Sequence, residues 1–177
     1  MIPVIVPYTQ LHELTVKAVP DAEFIHMKDD DHYRRLMRSM WERGEAFILV
    51  EHDVVPTQEQ LSALVECARP WCHYGYCPGD WVPTFGCVRF SDELIANTPD
   101  AFTDVSWPWG QLDAKFHVFA RDAGMTPHWH SPHVLHCGFH VIDGDSFQKI
   151  RLTREQEFHI LQAEIEMVRT EMTKERA

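Results

Sequence analysis

The stretch AFILV at residues 46–50, followed by EHD at residues 51–53, decides the fold. Five consecutive apolar residues are typical of a strand that is buried on both faces, as in the interior of a parallel sheet. Thr57 and Gln60 have the spacing of a capping box, which predicts that a helix begins there. A buried strand that leads directly into a helix indicates an α/β fold.

The sequence before this stretch repeats the same alternation. Strands are predicted at Ile2–Val6, where Pro7 ends the run, and at Glu23–Met27, with a short helix from Gln10 toward Ala18 between them. A second helix ends at Gly44. Its apolar face has helical spacing and consists of Tyr33, Leu36, Met37, Met40 and Trp41. Three strand–helix alternations within 67 residues predict a mostly parallel sheet flanked by helices.

The second half of the sequence is less regular. Strands are predicted at Phe85–Phe90 and within His133–Ile142, and the turn signal Asp143-Gly144 leads to a further strand at Phe147–Leu152. Ser91 caps a short helix, and a longer helix ends at Gly124. We expect residues 1–152 to form a single domain. Residues 153–177 are predicted to form an amphipathic C-terminal helix that packs on this domain or on a partner, such as a second copy of the chain.

Composition excludes several classes of protein. The chain has 177 residues and a formal net charge of -11, which disfavours a broad grip on nucleic acid or on an anionic membrane. No stretch approaches the roughly 18 apolar residues of a membrane span. The N-terminus lacks the features of a signal peptide, so we expect a cytoplasmic protein without membrane contact.

The cysteines have no familiar metal-binding spacing. The sequence has five, an odd number, and no CxxC pair. Small buried residues are the simplest interpretation. A Cys67–Cys72 disulfide bridge or a zinc site is the alternative.

The acidic residues after the central strand indicate a ligand site. Open α/β sheets bind ligands at the carboxyl ends of their strands. Glu51 and Asp53 are two residues apart, so in an extended backbone both carboxylates face the same side. Such oxygen ligands suit Mg²⁺ or Mn²⁺, which can bridge a diphosphate. The alternative is that polar residues simply begin a loop.

The order of these segments resembles a known family. PVIVPYT, FILV with EHD, FGCVRFS and WPWGQLD, followed by a His-rich segment, are similar to small GT-A glycosyltransferases, particularly family-2-like sequences of phages and actinobacteria. The resemblance covers roughly residues 1 to 140 and implies a GT-A-like (Rossmann-like) sheet. It further implies a UDP- or GDP-linked nucleotide-sugar donor whose diphosphate is held by Mn²⁺ or Mg²⁺. The acidic DxD motif of the family would here be Glu51-His52-Asp53, and the loop Pro7-Tyr8-Thr9 would lie near the base and ribose.

Six of the 12 histidines lie between His117 and His140. The GT-A resemblance implies that one late histidine completes the metal site, with His130 or His136 as the candidates and His128 behind them. Any single histidine can instead be an ordinary surface or core residue. The triplet His128-Trp129-His130 is also similar to the metal-binding HxH of cupins, although the glutamate that cupins require is missing.

WPWGQLD offers a catalytic carboxylate. An inverting glycosyltransferase needs a base for the acceptor hydroxyl, and Asp113 follows Trp107 and Trp109, whose aromatic faces could stack on sugar rings. Asp113 can equally be the N-cap of the next helix. Arg89 could contact the diphosphate or the acceptor, or make only a surface ion pair.

Three functions therefore remain open at this stage. The first is a metal-dependent glycosyltransferase acting on an unknown acceptor, which could be a protein, a glycan or a modified nucleobase. The second is a cupin-like metal-dependent oxygenase or isomerase that uses the histidine cluster. The third is a non-catalytic sugar-binding module of GT-A-like fold.

Overall fold

The computed structural model describes residues 2–75, 84–104, 107, 111–131, 134–137, 140–143 and 146–149. In this part of the chain the elements follow in the order β1 (Val4–Tyr8), α1 (Glu13–Ala18), β2 (Glu23–His26), α2 (Asp30–Arg43), β3 (Phe47–Val50), β4 (Val54–Val55), α3 (Gln58–Glu66), β5 (Trp71–Tyr74), β6 (Cys87–Phe90), α4 (Asp92–Asn97), α5 (Leu112–Asp122), β7 (His128–His130), β8 (Leu135–His136), β9 (His140–Asp143) and β10 (Ser146–Lys149). No helix among the described residues is long and apolar enough to cross a membrane.

Six strands form one sheet in the order β2-β1-β3-β6-β5-β7. The pairs β1–β2, β1–β3 and β5–β7 are parallel, and β6 alone runs against its neighbours β3 and β5. The other five strands therefore end at the same edge, which we call the carboxyl edge. Helices cover both faces, since α2, α4 and α5 pack into one core cluster and α3 into the other. This arrangement confirms the predicted α/β fold with a mostly parallel sheet.

The larger core cluster is built around Trp41 of α2. Its ring meets Phe90 of β6 and Phe116 of α5 edge-on, in both cases with 5.2 Å between centroids. Phe102 lies 4.8 Å away in the same edge-on manner. The indole N–H donates to the carbonyl of Thr98 at 3.0 Å, so its polar group is satisfied inside the core. Trp41 thus joins α2, α5 and the sheet.

Strand β1 extends past the point where the sequence predicts its end. Pro7 and Tyr8 belong to it and pair with Ile25 and His26 of β2. Ile48 N–H donates to Pro3 O, so the odd-numbered backbone groups of β1 face β3. The ladder with β3 covers only Val4 and Ile5. The N–H that Pro7 lacks would point beyond that ladder, so proline is tolerated there.

The predicted helix ends agree with the structure where local chemistry defines them. Thr57 and Gln60 form both hydrogen bonds of a capping box at the start of α3. The Ser91 side chain caps α4. Gly44 ends α2 in the left-handed conformation, with φ of 71°.

Three short strands, β4, β5 and β7, were not predicted from the sequence. β5 reads WCHY and is buried along its whole length between β6 and β7. β4 has two residues and pairs antiparallel with β8. The strands on either side of the predicted Asp143-Gly144 turn pair antiparallel, with Asp143 of β9 opposite Ser146 of β10, and Gly144 itself lies outside the described residues. The predicted helix over residues 153–177 lies outside the described residues.

Candidate active site at the carboxyl edge

The loop that carries Glu51, His52 and Asp53 is fixed by backbone hydrogen bonds at the carboxyl edge. Glu51 N–H donates to Gly86 O at 2.8 Å, just before β6. His52 O accepts from His12 N–H at 3.0 Å, at the start of α1. Val54 N–H donates back to Glu51 O at 3.1 Å, which closes a tight turn. Glu51 and Asp53 are both half-buried and directly follow the central strand, but they lie in a turn and not in the extended backbone that would place both carboxylates on one side.

A later segment of the chain crosses this edge. Val134 N–H donates to Gly75 O at 3.0 Å, just after β5 ends. His136 then pairs with Val54 in the β4–β8 ladder. Cys137 N–H donates to Asp53 O at 2.7 Å. We call residues 134–137 the crossing segment, and it brings His136 next to Asp53.

Asp53 and His136 form the centre of the candidate site. The Oδ2 atom of Asp53 lies 3.6 Å from Nε2 of His136 and 3.8 Å from Nε2 of His52. The side chain of Asp53 is 16% exposed and that of His136 is 9% exposed, so both are largely shielded from water. Asp53 and His136, both predicted metal ligands, are therefore neighbours. His52, which the sequence interpretation did not include, is a further neighbour of Asp53.

Asp53 and His136 have the spacing of two ligands of one divalent metal ion, although no third His, Cys, Asp or Glu side chain of the described residues lies within 4.8 Å of both. Two ligands of one ion lie about 3–4 Å apart when each bond is about 2.1 Å long, which matches the Asp53–His136 separation of 3.6 Å. Carboxylate oxygens suit Mg²⁺ and Mn²⁺, whereas imidazole favours transition metals. A mixed oxygen and nitrogen set thus favours Mn²⁺ over Mg²⁺.

His130 does not share this site. It ends β7, which is separated from β3 by β5 and β6, or about 14 Å at ordinary strand spacing. Its ring stacks on Tyr74 at 5.0 Å, and one ligand atom each of His130, Cys67 and Cys72 lies within 4.8 Å of the others. The strand register decides this position, because His130 pairs with Tyr74. The expectation that His130 joins Glu51 and Asp53 is therefore corrected.

The cupin interpretation does not fit the observed fold. Cupins need a β-barrel that brings their histidines to one metal, whereas the chain forms an open sheet covered by helices on both faces. His130 lies on β7, which pairs with β5, whereas His136 lies on β8, which pairs with β4. The two histidines therefore belong to different sheets.

The predicted nucleotide loop lies at the same edge as Asp53. Tyr8 is half-buried, and its ring lies 5.3 Å from that of His26 at the ends of β1 and β2. Thr9 is exposed, whereas Pro7 is buried within the strand. Tyr8 and Thr9 can therefore meet a ligand, and Pro7 can contribute only through its backbone position.

Asp113 lies in the first turn of α5, where Gln111 is the N-cap. The alternative prediction that Asp113 is the N-cap is therefore wrong. Burial raises the pKa of its carboxyl group, although hydrogen bonds from backbone N–H groups, Ala114 among them, oppose the shift. A carboxylate with a raised pKa is a stronger base, which suits proton abstraction.

The tryptophan loop is described only in part. Trp107 packs edge-on against Phe102 and Phe119, at 5.9 and 6.0 Å between ring centroids. It also lines a cavity of about 530 Å³ on the outer face of α5, together with Lys115 and Val118. This cavity shares no lining residue with the Asp53–His136 pair. Trp109 lies outside the described residues.

Arg89 has a structural task in the described chain. Its guanidinium donates to the carbonyls of Cys67 and Arg69, at 3.0 and 3.1 Å, and so anchors the loop between α3 and β5. Arg89 pairs with Ile48, two positions before the end of β3. It therefore lies back from the carboxyl edge, and the expected contact with a diphosphate or an acceptor finds no support in this placement.

Comparisons with known proteins support the fold. No protein-family model matches the sequence, and no curated protein matches it. Among solved structures, A197 from STIV is similar with a TM-score of 0.52 at 13% identity, over 74% of this chain and 82% of that one. A glycosyltransferase involved in the glycosylation of the major capsid of PBCV-1 has a TM-score of 0.48 at 12% identity, over the same shares of the two chains. The sheet and the likeness to A197 agree with the predicted GT-A-like fold.

Proposed function

We propose that this protein is a metal-dependent glycosyltransferase that uses a nucleotide-sugar donor. The observation that carries the proposal is the convergence of Asp53 and His136, at 3.6 Å, at the carboxyl edge of a GT-A-like sheet. That edge is where open α/β sheets bind their ligands. The carboxylate and the imidazole come from distant parts of the chain. If Asp53 only began a polar loop, no such convergence with a distant histidine would be expected.

In this proposal Asp53 and His136 hold the divalent metal, with Glu51 and His52 beside them. When bound, the metal supplies positive charge for the diphosphate that leaves the sugar. The half-exposed ring of Tyr8 offers a face for the nucleotide base, and the hydroxyl of exposed Thr9 offers a hydrogen bond to the ribose.

Asp113 is the proposed base in an inverting reaction. It would accept the proton of the acceptor hydroxyl as that oxygen attacks the anomeric carbon. The raised pKa of its carboxyl group supports this role. A retaining enzyme would not need such a base. The anomeric configuration of the product separates the two stereochemical courses, and Asp113→Asn tests whether Asp113 is the base. The acceptor remains a protein, a glycan or a modified nucleobase.

Thermal unfolding with UDP and with GDP, each with and without Mn²⁺, tests the proposal. We expect one nucleotide to raise the melting temperature of the chain only when Mn²⁺ is present. Asp53→Asn should abolish this effect and His136→Gln should weaken it. Asp21→Asn is the matched control, because Asp21 is exposed and precedes β2 at the opposite edge of the sheet.

Two results would contradict the proposal. Nucleotide binding that persists in EDTA would show that no metal is needed. A metal-dependent shift that is the same in Asp53→Asn and in the control would place the ligand elsewhere. Metal-dependent sugar-nucleotide binding without hydrolysis or transfer would instead favour the non-catalytic sugar-binding module.

A further inference from the structure

A second group of side chains of metal-ligating types lies at the end of α3 and on β5 and β7, away from the candidate active site. Cys67 is the C-cap of α3, Cys72 is the second residue of β5, and His130 ends β7. One ligand atom from each lies within 4.8 Å of the other two. The two thiols are free, so no disulfide joins them.

The fold brings these three residues together for identifiable reasons. Cys72 pairs with His128 and Tyr74 with His130, so the side chains of Cys72 and His130 lie on the same face of the sheet. Cys72 belongs to the core cluster under α3, and the partly buried Cys67 packs against that cluster. Arg89 accounts for the position of Cys67, because it donates to the Cys67 carbonyl at 3.0 Å.

The polar atoms of the cluster have few other partners. Nε2 of His130 is buried and finds no hydrogen-bond partner among the residues that the structure describes. The Cys72 side chain is fully buried, and its sulfur lies 3.9 Å from Leu64 O, which is at most a weak hydrogen bond. A buried imidazole nitrogen without a partner is unfavourable unless a further ligand satisfies it.

We propose that Cys67, Cys72 and His130 bind one Zn²⁺ ion. Two thiolates and one imidazole form a soft donor set that favours zinc over Mg²⁺ or Mn²⁺. Tetrahedral zinc with bonds of about 2.0–2.3 Å sets its ligand atoms about 3.5–3.8 Å apart, so small side-chain adjustments within this cluster suffice. Three protein ligands leave a fourth position for water or another small ligand.

The zinc would join three separate elements. It would fix the C-terminal end of α3 and the edge strand β7 to β5, since each supplies one ligand. This site does not depend on the proposed glycosyltransferase activity, because its residues and its preferred metal differ from those of the Asp53–His136 pair.

Metal titration of the full-length, reduced and metal-free chain tests the inference. We expect one tightly bound Zn²⁺ per chain by dialysis and elemental analysis. Co²⁺ in its place should give the near-ultraviolet absorption of thiolate-to-cobalt charge transfer. Carrying Asp53→Asn in every variant removes the other candidate site from the count.

Cys67→Ala and His130→Gln are the decisive variants, because both residues are half-buried and their replacement leaves the core intact. Each should weaken zinc binding at least 10-fold and alter the cobalt spectrum. Cys87→Ala is the control, since Cys87 is on β6 outside the cluster. Absence of zinc binding in the parent chain, or equal binding in the folded Cys67→Ala, His130→Gln and Cys87→Ala proteins, would overturn the inference. Circular dichroism confirms the folding of each variant.

Discussion

His73 is a single residue whose surroundings set a measurable property of the protein. It is fully buried in β5, and its ring lies 3.9 Å from that of Trp129 and 6.1 Å from that of Trp71. Burial is the largest cause that lowers its pKa, from 6.5 to about 3, and the nearby His117, His130 and His128 contribute. Between about pH 6.5 and about pH 3, His73 is therefore neutral in the folded protein, whereas it is protonated in the unfolded chain.

The free energy of unfolding should decrease below about pH 6.5 because His73 is protonated only in the unfolded chain. Between that value and about pH 3 the unfolded chain binds a proton at His73 that the folded chain does not, so stability falls as the pH falls. The expected loss between pH 7 and pH 5 is about 2 kcal/mol. Urea denaturation at both pH values measures it.

His73→Leu is the comparison for this prediction, because leucine fills a similar volume and cannot take up a proton. The loss between pH 7 and pH 5 should be about 2 kcal/mol smaller in this variant than in the parent chain. Identical pH dependence of the two proteins would show that His73 does not titrate on unfolding as argued.

At the scale of elements, the start of α3 shows what local sequence can specify. Thr57 accepts from the N–H of Gln60 at 3.2 Å, and the Gln60 side chain accepts from the N–H of Thr57 at 2.9 Å. Removing the threonine hydroxyl leaves an N–H of the first turn without its partner. This hydrogen-bonded pair fixes where the helix begins.

Thr57→Ala should therefore destabilise the protein by about 1 kcal/mol. Ser62→Ala is the matched control, because Ser62 is exposed within the same helix and alanine is the better helix former there. Guanidinium denaturation of both variants gives the comparison. Equal stabilities of Thr57→Ala and the parent chain would mean that the cap adds nothing to the folded state.

Elements with strong local signals were predictable, and those that depend on tertiary pairing were not. The central strand, the capping box and Gly44 follow from apolar runs, hydrogen-bonding side chains and backbone preference. Strand β5 escaped prediction because His73 interrupts its apolar pattern, and only its neighbours β6 and β7 make it a strand. Strand β4 has two residues and exists through its pairing with β8.

The same distinction applies to the candidate site. Asp53 could be placed from the sequence, because it follows a strand whose apolar run is unambiguous. The choice between His130 and His136 could not be made, since both stand in one histidine-rich segment. The register of β7 on β5 places His130 near the cysteines, and the crossing segment places His136 next to Asp53. Neither placement can be predicted from the local sequence.

At the scale of the whole molecule, the aromatic cluster around Trp41 holds the helices to the sheet. Trp41→Ala should cost about 3–5 kcal/mol, because it leaves a cavity among Phe90, Phe102 and Phe116. Thermal or chemical denaturation measures the loss. Trp129→Ala is the control, since 39% of Trp129 is exposed, and its cost should be clearly smaller. Similar losses in the two variants would mean that the cluster is not a centre of stability.

Because the crossing segment supplies His136, the candidate site is complete only when this segment is in its native position. Asp53 is positioned by β3 and the turn that follows it, whereas His136 is positioned by the β4–β8 pairing and by the hydrogen bond from Val134 to Gly75 after β5. A partly folded chain without these contacts would have the carboxylate without the imidazole. The proposed nucleotide and metal would then stabilise only the completely folded chain, and adding them during refolding would shift the equilibrium from partly folded chains toward the native state.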